Sequence, residues 1–431
     1  VVLIVVDTLR ADRLSPGHPR RPSAPLAGLL SRATRFEECY APSPWTVPST
    51  ASLMSGRMPS SHGSVAKGDT LASEIDTIAE ALRRDGWRTA GFSANPHVST
   101  RTRFDQGFDV FTSFDGEVLS YPDVSELVTP AIEWVDRGGG RPFFLYLQPM
   151  NCHGPYRVPE ARRSALLGRP PSSGFTYYGT LMKDIMWQRR LERRAEVTKT
   201  ILRSLGEQYD TAVHHTMAEI ARLVTHLERR GLYDDTLIVV TSDHGEELFE
   251  HGGFSHGYSL HREVLHVPLV IKVPGQRTGR VVRDRVSLLD VHPTVLAAAG
   301  LPPAQGTDGV SLAGLLGRSL GPSWASGRRD LVFEVSWEGR CVARSILSGS
   351  LKLVEIESNY EGLRSTPRLY DLGRDRAELM DLALGRKATV RMLSRRLDVK
   401  LGIWSQRAVH PPENVLPTMS EEALRSLGYL R

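Results

Sequence analysis

The chain opens on Val1–Val6, VVLIVV, followed directly by Asp7. Six apolar residues in a row show neither the two-residue alternation of a half-exposed strand nor the length of a stable helix, and so read as a strand buried on both faces. Such a strand needs helices on both sides of its sheet. The rest of the chain supplies them by alternation. TIAEALRRD (Thr77–Asp85) has helical spacing and stops at Gly86. WRTAGFSAN reads as a strand, Leu127–Asp136 as a helix and PFFLYLQPM as a strand. Tyr209–Arg230 is a long amphipathic pattern ended by Gly231, TLIVVTSDHG and HVPLVIKVPG are further strands, and Asp290–Ala299 closes as a helix before Gly300. The pattern predicts an α/β fold, a mostly parallel sheet sandwiched by helices. Beyond Gly317 the texture changes to short strands, LVFEVSW, CVARSIL and SLKLVEI, then PRLYDLGRDRAELMDLA. This predicts a small C-terminal antiparallel-sheet subdomain over 321–431, after a catalytic domain over 1–320. An arginine-rich stretch, about 157–206, reads as a partly helical insertion in that domain, its charge a solvated face.

Composition narrows the function classes. A chain of 431 residues with 40% hydrophobic and 24% charged side chains is a globular protein with a full core. A net charge of +5 favours anionic ligands weakly and lacks the dense basic stripe of a nucleic-acid binder, so no nucleic acid is expected as partner. Three cysteines, Cys39, Cys152 and Cys341, make no CxxC pair and no disulfide framework. No apolar run reaches the length of a membrane span. The first residue already lies in a core strand, which suggests a trimmed upstream segment and leaves the compartment unreadable.

In open α/β sheets ligands bind beyond the carboxyl ends of the strands. Those ends carry Asp7, then Asn95 and His97, then Asn151 and His153, then Asp243-His244-Gly245-Glu246. Asp7 alone would pass for a helix cap. Four polar, metal-competent endings from one set of strands form a constellation. Carboxylate and imidazole together suit zinc, manganese and related ions, whereas calcium and magnesium prefer all-oxygen sites. His153 precedes a tight Gly154-Pro155-Tyr156 turn and is placed to contact a substrate oxygen or protonate a leaving group. PWTVPSTASLMSG (Pro44–Gly56) sets Thr46 at the start of a short helix that Pro48 admits and Gly56 ends. Thr46 reads either as a helix cap or as an alcohol nucleophile. A dication on Asp7, Asp243 and His244 would lower the proton affinity of that hydroxyl and favours the second reading. Asp210 and His214, one helical turn apart, read as a surface pair rather than as ligands of a second ion. His261, His266 and His292 read as loop or helix residues, and only His251, just after the DHG motif, is expected near the site.

These motifs together resemble the sulfatase family of the alkaline phosphatase superfamily. VVLIVVDTLRAD resembles its opening strand and metal aspartate. WTVPSTASLMSGRMPSSHG resembles the nucleophile motif, Cys/Ser-x-Pro-x-Arg, and its continuation. VVTSDHGEELFEHG resembles the second metal motif, HGYSLHREVLHVPLVIKVPG the segment after it, and RLYDLGRDRAELMDLA the C-terminal signature. The resemblance implies a metal-dependent ester hydrolase with one divalent ion, manganese or zinc ahead of calcium or magnesium, held by Asp7, Asp243, His244 and Thr46. It places Asn95 or His97, and His256, near substrate-contacting lysines of the family, with His153 as general acid or oxyanion contact. Two departures shape the chemistry. The position that family sulfatases convert to formylglycine is Thr46, whose Cβ methyl forbids the aldehyde, and the motif arginine is Thr50. The resemblance then points to the superfamily's threonine phosphodiesterases and phosphotransferases, in which the hydroxyl attacks phosphorus. The expected substrate is a small anionic ester, phospho- or sulfo-, with a glycan or lipid head group among the carriers. A sulfate esterase without formylglycine is the alternative, and an inactive anion-binding homologue the second; metal content separates the last from an enzyme.

Overall fold

A computed structural model describes residues 1–114, 121–167, 199–317, 329–337, 340–356 and 366–409. Eight strands form the main sheet: β1 (Val2–Val5), β2 (Thr34–Tyr40), β3 (Arg88–Ser93), β4 (Val110–Ser113), β5 (Phe143–Gln148), β6 (Ile238–Thr241), β9 (His266–Lys272) and β10 (Arg280–Ser287). A short hairpin, β7 (Glu247–Leu248) and β8 (Phe254–Ser255), follows β6. The order across the sheet is β10-β2-β9-β6-β1-β5-β3-β4. Every neighbouring pair is parallel except those of β9, which runs antiparallel to β2 and β6. Each of β1, β6 and most of β5 is fully buried, as continuous apolar runs between two helical layers require.

Six of the helices are α1 (Thr46–Ser55), α2 (Ile78–Arg84), α3 (Val124–Asp136), α4 (Lys199–Arg229), α5 (Val291–Ala298) and α6 (Lys387–Ser405). One apolar core places the α3 and α4 side chains Val124, Leu127, Tyr209, Val213 and Met217 against Val2, Ile4, Leu145 and Val240. The other places the α1, α2 and α5 residues Leu53, Ile78, Leu82 and Val295 against Leu3, Val5, Tyr146 and Val239. Alternate residues of β1 thus serve opposite layers, the two-residue period of a strand expressed as two cores.

A separate antiparallel sheet holds β11 (Leu331–Trp337), β12 (Arg340–Ser348), β13 (Leu351–Ile356) and β14 (Arg368–Asp371) in chain order. One face meets the main body through Tyr40, Trp45, Val47, Leu260 and Leu265. The other packs Ile346, Leu353 and Leu369 against Leu393 and Leu397 of α6. The expected α/β architecture with its smaller antiparallel sheet is the fold observed. The boundary placed at 320 lies outside the described residues, as do 168–198 of the expected insertion, whose start includes a helix over Glu160–Leu167. No described helix is long and apolar enough to cross a membrane.

Candidate metal centre and nucleophile

The strand endings converge. Asp7 follows β1 and Asp243-His244 follows β6, its parallel neighbour, so the two motifs leave the sheet side by side. Thr8 adopts φ 58°, a rare conformation for a non-glycine residue, and its N–H points to Asp243 Oδ1 at 3.3 Å. Ser242 donates its hydroxyl to the carbonyls of Val6 and His244 and accepts from the Leu9 N–H at 2.8 Å, stitching the endings together. From the far side Tyr209 on α4 donates to the Thr8 carbonyl at 2.6 Å.

Asp7, Asp243 and His244 are completely buried, and one ligand atom from each lies within 4.8 Å of the other two. His244 Nε2 is 3.5 Å from Asp243 Oδ2 and 3.9 Å from Asp7 Oδ1, too far for hydrogen bonds. Those two oxygens are buried without a hydrogen-bond partner among the described residues. Burial holds both carboxyls above their usual range, and at Asp7 the charge of Asp243 adds to it. Burial also lowers His244 to about 3, which keeps the ring neutral. Its Nδ1 donates to the Gly245 carbonyl at 2.9 Å, which leaves the lone pair on Nε2, facing the carboxylates. Two repelling carboxylates, two orphaned oxygens and an aimed imidazole lone pair form a donor set that fits one divalent cation. Sulfatase-family enzymes generally bind one.

Thr46 is the first residue of α1, not its cap. The N-cap is Trp45, which makes no side-chain capping bond. The Thr46 hydroxyl is therefore free for another role. It lies 3.3 Å from His244 Nε2, and Asn95 Nδ2 donates to it at 3.3 Å. The same Asn95 amide donates to Asp7 Oδ2 at 2.5 Å, while Asn95 Oδ1 accepts from the His97 N–H at 2.8 Å. Ser49, one turn into α1, donates to the Asp243 carbonyl at 2.5 Å and clamps the helix onto the second metal motif. Gly56 ends α1 at φ 70°, as the sequence requires.

Imidazoles form the rim. His256 lies tilted against His244 with ring centroids 4.3 Å apart, and His153 lies edge-on to His256 at 5.0 Å. Burial lowers His97 to about 3, His256 to about 3 and His153 to about 4, so all three are neutral near pH 7. His153 Nδ1 is committed to the Gly154 carbonyl at 2.8 Å. Asp7, Thr46, Asn95, His153, Asp243, His244 and His256 thus belong to one buried group.

Two residues beside the site were given no role by the sequence: Glu246, named only as part of a strand ending, and Lys67. Glu246 is buried beneath the rim, 3.0 Å from His256 Nδ1, with burial raising its carboxyl to about 8. It follows the DHG motif directly, which was its only signal. Lys67 has a solvent-shielded Nζ and a charge that acts on His97; burial lowers it to about 8. Its glycine-bounded loop gave no strand-end signal. His251 does not join the site: it stacks on His261 at 3.6 Å and pairs with Glu263 at 3.1 Å. Asp210 is buried and pairs with Arg13 and Arg20 rather than with His214, so the two do not form the expected surface pair. His266 bonds the Glu37 carbonyl at 2.8 Å, and His292 is buried within α5.

Comparison with known proteins identifies the family and the fold. The Sulfatase family model matches residues 1–301. Arylsulfatase K of Danio rerio is 25% identical over 401 residues, covering 81% of this chain and 73% of that protein. Arylsulfatase K of Homo sapiens is 23% identical over 446 residues, covering 89% and 78%. The phosphonate monoester hydrolase of Agrobacterium radiobacter superposes with a TM-score of 0.75 at 21% identity, over 94% of this chain and 95% of that one. BT4656, solved with its substrate D-glucosamine-2-N,6-O-disulfate, superposes with a TM-score of 0.70 at 19% identity, over 94% and 98%. At those identities the two solved structures speak for the fold alone. With the family model matched over most of its length, the chain belongs to the sulfatase family, ester hydrolases of the alkaline phosphatase-like superfamily.

Proposed function

We propose that the chain hydrolyses phosphodiester or phosphonate esters, or transfers their phosphoryl group, with Thr46 as nucleophile. The observation that carries the reading is the Thr46 hydroxyl, uncommitted to capping, 3.3 Å from His244 Nε2 at the helix mouth. Asp7, Asp243 and His244 would hold the divalent ion, with Thr46 as fourth donor. A mixed carboxylate–imidazole set favours manganese or zinc. Such an ion, when bound, lowers the proton affinity of a neighbouring hydroxyl and neutralises charge on ester oxygens.

Asn95 holds the Thr46 oxygen in place, and the positive end of α1 favours its alkoxide. Thr46 Oγ1 forms the new bond to phosphorus, giving up its proton to solvent. The bond to the leaving oxygen breaks, and that oxygen takes a proton from His153. At rest His153 is neutral, so it becomes the donor only after Nε2 is protonated, which a neighbouring anionic ester favours. Water or another alcohol then releases the phosphoryl group from Thr46. His256, oriented by Glu246, and Lys67 line the approach for the anion.

Sulfate esters are the second reading, favoured by the arylsulfatase K relatives. A panel of nitrophenyl sulfate, phosphate, phosphodiester and phosphonate esters, run with and without manganese, separates the two. Thr46→Ala is expected to lower turnover of the phospho-esters at least about a thousandfold while metal content stays near one ion per chain. Turnover of aryl sulfate alone, indifferent to that substitution, refutes the phospho-ester reading.

A further inference from the structure

His153 rides on an irregular loop after β5, and the loop's aim is set from outside it. Asn151 accepts from the Val124 N–H at 2.9 Å and donates to the Arg157 carbonyl at 2.9 Å, bracketing the loop. Tyr121 donates its hydroxyl to the His153 carbonyl at 2.9 Å. The same Asn151 amide donates to Asp123 Oδ2 at 2.9 Å. His215, on α4, meets that one oxygen at 2.8 Å through Nε2.

Asp123 is the N-cap of α3 and does not need His215 for that task. Its other oxygen, Oδ1, accepts from the Ser125 N–H at 3.0 Å, and Glu126 returns to the Asp123 N–H at 2.8 Å, a complete capping box. Oδ2 is spare for capping and is used wholly for the bridge. His215 is 2% exposed, and its Nδ1 finds no hydrogen-bond partner among the described residues, a cost that capping does not explain. We propose that His215 is a positioning residue for the leaving-group step: through Asp123 and Asn151 it ties the long helix α4 to the loop and fixes where His153 points. The inference rests on the role given above to His153.

The test is a series of aryl and alkyl phospho-esters assayed with manganese, in wild type, His215→Leu, His215→Gln and His153→Ala. His215→Leu is expected to lower kcat about tenfold for poor leaving groups such as alkyl or phenyl, and less than about twofold for nitrophenyl, with KM unchanged. His215→Gln, whose amide can reach the same oxygen, is expected to recover wild-type rates within about twofold. In the double variant with His153→Ala, His215→Leu is expected to add no further leaving-group dependence. A loss of equal size across all leaving groups marks a merely structural histidine and overturns the proposal, as does no loss. If His153→Ala itself shows no leaving-group dependence, the role of His153 falls, and the relay with it. If His153→Ala shows it and His215→Leu does not, the relay alone falls.

Discussion

At the scale of single residues, the candidate metal centre is built from groups that dislike one another in the absence of a cation. Asp7 and Asp243 are buried together, and burial raises both carboxyls, with Asp243 adding to the effect at Asp7. A substitution that removes one charge therefore acts with opposite signs in two states. Asp7→Asn is expected to raise the melting temperature of chelator-treated protein and lower that of metal-loaded protein, since the variant gains little from the ion. Scanning calorimetry with EDTA and with manganese reads the crossing directly. The strand-end members of the proposed ligand set, Asp7, Asp243 and His244, were legible in the sequence because each follows a continuous apolar strand, and a polar residue there has few other places to point. Glu246 and Lys67 were not, because their roles come from burial and from neighbours distant in the chain. Nor could the sequence say that Thr46 is the first helical residue rather than the cap. That depended on the extended backbone of Trp45.

At the scale of elements, the site depends on close approach between backbones. Gly245, inside the DHG motif, donates its N–H to the Val264 carbonyl at 2.9 Å, and a Cβ there would come within 2.0 Å of the Glu263 carbonyl oxygen. Backbone cannot move aside as a flexible side chain can. Gly245→Ala is thus expected to cost about 2 kcal/mol or more in stability and to weaken metal binding, measured by denaturant titration and metal-competition assay. Helices with clean periodicity, Ile78–Arg84 and Val291–Ala298, lay within a residue or two of their expected limits. The strands Thr34–Tyr40 and Arg280–Ser287 were missed for a physical reason. Both carry charged residues, and β10 is an edge strand, so neither shows the continuous apolar run that marks a central one.

At the scale of the whole molecule, the two sheets meet across a seam that contains a buried acid. Glu334 on β11 accepts from the Ser60 hydroxyl at 2.9 Å, and its N–H donates to the Pro42 carbonyl at 2.9 Å. Burial raises its carboxyl from 4.5 to about 7. A folded-state value above the unfolded one means that the folded chain holds the proton longer, so this group costs stability as pH rises from 4.5 and ceases to cost more above 7. Glu334→Gln, which cannot ionise, is expected to gain on wild type by up to about 1.4 kcal/mol per pH unit between pH 5 and 7, with a constant difference above that. Urea titrations at several pH values provide the comparison.

The same seam reaches Thr46, the proposed nucleophile. Its chain neighbours on either side, Trp45 and Val47, pack with Phe333, Val335 and Leu347 of the smaller sheet. The stretch that carries every proposed ligand ends well before residue 331, yet the footing beneath Thr46 is poured by strands that come after it. A fragment cut after residue 317 is therefore expected to keep all its ligands in the chain and still lose most of its turnover, while adding back 329–409 as a separate polypeptide restores part of it. In this architecture the later strands are the anvil against which the earlier ones strike.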